Sequence, residues 1–144
     1  MRIGCDIGGV IKQMTNDQPI SGAIAGLNQL FQLGHSVILI SKCKETYRNQ
    51  IDDWLKSQNL TYIPVRYCGE YADKVNIAKE LKLEVMIDDK MQVLSSFSDQ
   101  FLKIWLCDEE KKISGAKKYQ PDLFKTLRLA KNWEQILVIL SQLD

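Results

Sequence analysis

An aspartate followed by two glycines closes the first apolar run of the chain, Cys5-Asp6-Ile7-Gly8-Gly9-Val10. Three further polar signals come after it in order: Ser41 behind Val37-Ile38-Leu39-Ile40, then Lys74, then the pair Asp88-Asp89 behind Val85-Met86-Ile87. Together they offer a carboxylate nucleophile, a hydroxyl, an ammonium and an acidic pair. Such a set can hold a divalent metal and a phosphoryl group. Asp6, at the end of a buried strand, can ligate a metal or attack phosphorus. Gly8 and Gly9 allow a tight turn and let backbone amides approach anionic oxygens. The same composition also suits a plain turn.

Ser41 can bind a phosphate oxygen, and Ser41-Lys42-Cys43-Lys44 leads into a helix whose N-terminus favours anions. An ordinary helix-capping serine is the alternative. Lys42 is a better candidate than Lys44 for touching a substrate. Lys74 opens a helix, an electrostatically poor place for a cation unless an anion partners it; otherwise it is a surface lysine. Adjacent carboxylates at Asp88 and Asp89 repel unless a cation or hydrogen bonds compensate. Magnesium is satisfied by one or two carboxylates and retained waters. Side chains alternate along a strand, so one of the pair, Asp88, is chosen as the direct ligand. His35, the only histidine, precedes the strand that Ser41 ends, roughly 20 Å away. A Ser-His-Asp triad is thereby excluded, and no P-loop or G-x-G-x-x-G is present.

Alternating elements must position these groups. Residues 2–7 read as a strand and 8–21 as a loop, with Ser21 capping a helix that carries Ile24, Leu27, Leu30 and Phe31 and ends at Gly34. Residues 36–41 form a buried strand, 44–57 an amphipathic helix, and 62–67 a third strand in which Pro64 points to an edge position or an irregularity. A helix over 73–81, a strand over 84–87, a short helix with Met91, Leu94 and Phe97, and a strand over 102–107 follow. Residues 108–120 read as a polar loop. Pro121 opens a C-terminal helical stretch broken near Asn132. Strands separated by helices imply right-handed crossovers and a mostly parallel, five-stranded sheet in an α/β Rossmann-like fold. Ligands in such sheets bind at the carboxyl ends of strands, where all four signals fall.

The 144 residues suit one domain. Hydrophobic residues make up 45% and charged residues 26%, the balance of a globular chain, and 19 basic against 18 acidic side chains give a net charge of +1. That near-neutrality excludes a broad nucleic-acid footprint, and Lys111, Lys112, Lys117 and Lys118 read as a solvated cluster. The longest apolar run, 136–140, is too short for a bilayer. Cysteines 5, 43, 68 and 107 form no C-x-x-C pair, which speaks against zinc. The N-terminus reads directly as a strand rather than a signal peptide, so a reducing cytoplasm is the expected setting.

The ordered set Asp-Ile-Gly-Gly-Val, Ile-Leu-Ile-Ser, Lys74 and Ile-Asp-Asp resembles the four motifs of the haloacid dehalogenase-like (HAD) superfamily over residues 1 to 107. The resemblance implies a three-layer fold with Mg²⁺ held by Asp6, the Gly8 carbonyl and Asp88, with Asp89 assisting. It implies that Asp6 forms an aspartyl-phosphate from a phosphomonoester while Ser41 and Lys74 stabilise the phosphoryl group, to which the residues' own chemistry adds Gly9 and Lys42 as phosphate-binding candidates. Two departures stand out. The second aspartate usual in HAD phosphatases is Gly8 here, which removes a proton shuttle worth typically ~10²–10⁴-fold. The expectation is slow hydrolysis, a substrate with a good leaving group, or another residue serving as acid. The intervals 8–21 and 68–73 are also too short for a cap, so the site should be open to a phosphorylated small molecule or nucleotide, or covered by a second copy of the chain. A catalytically weak phosphate- or nucleotide-binding module is the competing reading.

Overall fold

The computed structural model describes residues 1–143. Its strands are β1 (Arg2–Cys5), β2 (Ser36–Lys42), β3 (Val65–Cys68), β4 (Val85–Asp88), β5 (Leu102–Leu106) and β6 (Arg128–Ala130). The helices are α1 (Ala23–Gln32), α2 (Arg48–Ser57), entered through a 3₁₀ turn at Glu45–Tyr47, α3 (Asp73–Glu80), α4 (Met91–Leu94), α5 (Glu110–Tyr119), α6 (Pro121–Thr126) and α7 (Trp133–Leu143). The six strands form one parallel sheet in the order β3-β2-β1-β4-β5-β6.

Alternation along the strands feeds two cores. Ile3, Cys5, Leu39, Ile87 and Ile104 face α1 and α7, packing with Leu27, Leu30, Trp133, Ile136 and Leu140. Ile38, Ile40, Met86 and Trp105 face the other layer, with Ile77 and Ala78 of α3, Val93 and Leu94 of α4, and Ile113 and Ala116 of α5. Covering both faces is what near-continuous apolar parallel strands require. Gly4 is small because side chains crowd over it: a Cβ there would lie 2.8 Å from Leu83 Cδ1, just before β4, and 2.9 Å from Met86 Sδ on β4.

The chain leaves β1 toward β2 and β3 on one side and then returns to β4 on the other. The reversal in strand order therefore falls between β1 and β4, where such sheets leave a crevice. β3 is an edge strand, as Pro64 foretells; the proline lies just before it and its carbonyl accepts the Leu39 amide at 2.9 Å.

The sheet has six strands rather than the expected five. The additional one, β6, lies within the stretch read as helical and pairs Arg128, Leu129 and Ala130 with Ile104, Trp105 and Leu106. Residues 108–120 are not a loop: α5 occupies most of them, burying only Ile113 and Ala116. Ser21 does not cap α1. The capping position is Gly22, with φ 80° and no side-chain hydrogen bond. Small residues serve at this end of α1 because Trp133 packs there; a Cβ on Gly26 would meet its ring at 2.6 Å.

Candidate active site

The register of β1 and β4 builds the core of the site. Gly4 pairs with Met86 and Cys5 with Ile87, and the Asp6 amide continues the ladder by donating to the Ile87 carbonyl at 3.0 Å. Asp6 and Asp88 thus leave adjacent strand ends at equivalent positions, two residues beyond Gly4 and Met86, which face the α3 side. Lys74, in the first turn of α3, reaches between them. Its Nζ lies 3.0 Å from Asp6 Oδ1 and 3.0 Å from Asp88 Oδ2. All three side chains are buried, Asp88 completely and Lys74 to within 1%. The anion that a lysine at a helix start demands is therefore a carboxylate pair.

Asp89 completes an acidic cluster. Carboxylate oxygens of Asp6, Asp88 and Asp89 lie within 4.8 Å of one another. Asp88 Oδ1 accepts the Lys90 amide at 3.1 Å, whereas Asp89 Oδ1 is buried without a hydrogen-bond partner. The Lys90 ammonium stands 3.7 Å from the other Asp89 oxygen. Burial pushes the Asp6 carboxyl up to about 8, with Asp88 adding to the effect and Lys74 opposing it. Burial also raises Asp88, again against Lys74. For Lys74, burial alone favours the neutral amine, but Asp6 and Asp88 overcome it and hold the proton more tightly than usual. Asp6 and Asp88 thus share one buried ammonium, and Asp89 beside them has only the Lys90 ammonium at 3.7 Å. A hard divalent cation with oxygen ligands fits this excess charge and the orphaned Asp89 oxygen.

The loop after Asp6 is pinned by one carbonyl. Ile7 O accepts the amides of Val10, Ile11 and Lys12 at 3.2, 2.9 and 3.1 Å. Trp133 Nε1 donates to Val10 O at 2.8 Å, so α7 anchors the same turn from the other end of the chain. Gly9 does not offer a free amide to an anion, contrary to expectation: its N–H donates to Lys12 O at 2.8 Å. Its role is to give room. With φ +81° it sits where L side chains are strained, and a Cβ would stand 2.1 Å from Asp89 Oδ2.

A cleft of about 450 Å³ opens over these groups, lined by Asp6, Gly8, Ser41, Lys42 and Lys74. The structure thus brings Asp6, Ser41, Lys74 and Gly8 to one crevice, with Asp88 behind Lys74 and Lys42 on the wall, its ammonium 4.4 Å from the Tyr71 ring centroid. Sequence reasoning missed Lys12, Tyr47, Trp54, Tyr71 and Lys90, which also line the cleft. Lys90 follows directly on the acidic pair, a signal that was available. Trp54 and Lys12 gave none, because a loop brings them together: Trp54 Nε1 donates to Asp17 O at 2.7 Å and Lys12 Nζ to Asn16 O at 2.9 Å. His35 is remote from this chemistry, near the N-terminal amine at 2.9 Å.

No family model matches the sequence, and no curated protein matches it. Solved structures do match the fold. A D,D-heptose 1,7-bisphosphate phosphatase from B. bronchiseptica, complexed with magnesium and phosphate, superposes with a TM-score of 0.73 over 99% of both chains at 13% identity. The enzyme of the same name from Burkholderia thailandensis gives 0.70 at 14% identity, covering 97% of this chain and 98% of its own. An uncharacterized protein from Listeria monocytogenes serotype 4b gives 0.62 at 12% identity over 98% of each chain. The chain therefore shares the α/β fold of these phosphatases, one parallel six-stranded sheet flanked by helices on both faces. No helix among the described residues is long and apolar enough to cross a membrane.

Proposed function

We propose that the chain is a Mg²⁺-dependent phosphatase that acts on a phosphomonoester through an aspartyl-phosphate at Asp6. The observation that carries this reading is the Lys74 bridge, 3.0 Å to each of Asp6 and Asp88, beside the unpartnered Asp89 oxygen in an open cleft. The shared fold with phosphatases, one of them holding magnesium and phosphate, supports it.

Asp6 and Asp88 would hold the ion, with the Gly8 carbonyl and Asp89 assisting. When bound, Mg²⁺ would neutralise developing charge on the phosphoryl oxygens. Everything else falls to side chains. Asp6, buried and oriented by Lys74, attacks phosphorus along the line of the leaving oxygen. Lys74 holds the nucleophile in place and remains a fixed positive charge as phosphoryl oxygens gather beside it. Ser41 contributes a hydroxyl to those oxygens, and Lys42 closes the outer wall.

A catalytically weak module that binds phosphate or nucleotide is the second reading, and Gly8 favours it. Phosphate release from a panel of phosphomonoesters separates the two. The account predicts turnover with Mg²⁺, its loss in EDTA, and recovery on adding Mg²⁺ back. Binding of phosphate with no release from any ester would establish the weaker reading.

A further inference from the structure

The cleft holds a nucleophile but no second carboxylic acid beside it that is free to serve the leaving group. Asp88 and Asp89 belong to the acidic cluster, and the Lys74 ammonium is engaged at 3.0 Å by each of Asp6 and Asp88. The other carboxylic acid on the wall, Asp17, faces solvent: its side chain stands 89% exposed, 4.0 Å from Lys12. Lys12 Nζ in turn donates to the Gln13 and Asn16 carbonyls. Beside Asp6, at Gly8, the space is filled by a thioether: a Cβ on Gly8 would lie 3.0 Å from Met14 Sδ. Methionine has no proton to give. The wall further out is aromatic, with Tyr47, Trp54 and Tyr71, and carries the Lys42 ammonium against Tyr71.

From this arrangement we infer that the substrates are phosphomonoesters of acidic hydroxyls, aryl or enol phosphates, rather than phosphates of ordinary alcohols such as sugars. The inference rests on the phosphatase reading above. In the first step an Asp6 oxygen forms a bond to phosphorus and the bond to the leaving oxygen breaks. The electron pair departs with that oxygen, which leaves as a phenolate or enolate and needs no proton. The Lys42 ammonium suits the charge of the departing anion, and the aromatic side chains suit a flat leaving group by offset stacking. In the second step water attacks phosphorus, the Asp6–phosphorus bond breaks with its electron pair returning to the Asp6 carboxylate, and both water protons end on the released dihydrogen phosphate.

The test compares kcat/KM, with Mg²⁺, for substituted phenyl phosphates of graded leaving-group acidity and for an alkyl phosphate. The alkyl ester should lag p-nitrophenyl phosphate by about 10²-fold or more, the scale of absent acid help, with rates falling steadily as the phenol becomes less acidic. Gly8→Asp should narrow that gap. Position 8 tolerates the change, since its φ lies outside the left-handed region and the only near neighbour is the end of a 64%-exposed methionine. Gly8→Ala, which fills the same space without a carboxyl, should leave the gap as it is. Equal rates for aryl and alkyl esters in the native chain, or an equal effect of Gly8→Ala and Gly8→Asp, would overturn the inference and leave the phosphatase reading standing. No turnover of any ester, together with no thermal shift from Mg²⁺ and beryllofluoride, would overturn both.

Discussion

Asp6→Asn is expected to abolish turnover, by about 10⁴-fold or more, while leaving the fold in place. The substitution keeps the shape of the side chain and the amide bond to Ile87 O that continues the sheet. On the proposed mechanism it removes the nucleophilic oxygen, and with it the covalent intermediate. It also removes one of the carboxylates crowded around Lys74, whose bond to Asp88 at 3.0 Å remains. The melting temperature should therefore hold or rise even as activity disappears. Acid-quenched native protein mixed with labelled substrate should retain label, and the variant should retain none. Turnover that survives Asp6→Asn would exclude covalent chemistry at this residue.

Lys74→Met should be costly in both respects. Methionine fills the space of the lysine stem but leaves Asp6 and Asp88 buried without their cation. Breaking a buried ion pair in this way costs about 3–5 kcal/mol. The sign of the pH dependence follows from the raised carboxyls. A carboxyl raised in the folded state, as Asp6 is to about 8, favours folding at low pH and loses that contribution as pH climbs through the folded value. Without Lys74 both carboxyls rise further, so the deficit of the variant should widen toward alkaline pH. Mg²⁺ should narrow it, and should stabilise the variant more than the native chain. Denaturant unfolding in EDTA and in Mg²⁺ at two pH values reads this directly. A variant as stable as the native chain in EDTA at alkaline pH would show that Lys74 carries no such burden.

The residues that meet at the site were legible because each closes a strong local pattern. Asp6, Ser41 and Asp88 each interrupt an apolar strand at its carboxyl end, and a parallel sheet aligns those ends. Lys74 was legible as a cation misplaced at a helix start. What escaped reading lacked such contrast. β6 is three residues long, begins with Arg128 and buries only Ala130 fully, so its hydrophobic signal is too brief to register as a strand. α5 carries Lys111, Lys112, Lys117 and Lys118 on its exposed side, and with only Ile113 and Ala116 inward its apolar stripe is too thin to separate from a polar loop. The tie between Trp133 and Val10 spans 123 positions and exists only once α7 has packed on α1. Gly9 was legible as a turn residue, but not as an amide already used in that turn, and the crowding that excludes a side chain comes from Asp89, distant in sequence.

The most direct measurement of the central claim is a crystal structure of the protein with Mn²⁺ in place of Mg²⁺ and beryllofluoride in place of the phosphoryl group. The account predicts an anomalous peak among the carboxylates of Asp6, Asp88 and Asp89, and beryllium joined to an Asp6 oxygen within reach of Ser41 and Lys74. Manganese bound elsewhere, or an Asp6 carboxylate that stays clasped to Lys74 with neither ion nor fluoride beside it, would contradict it.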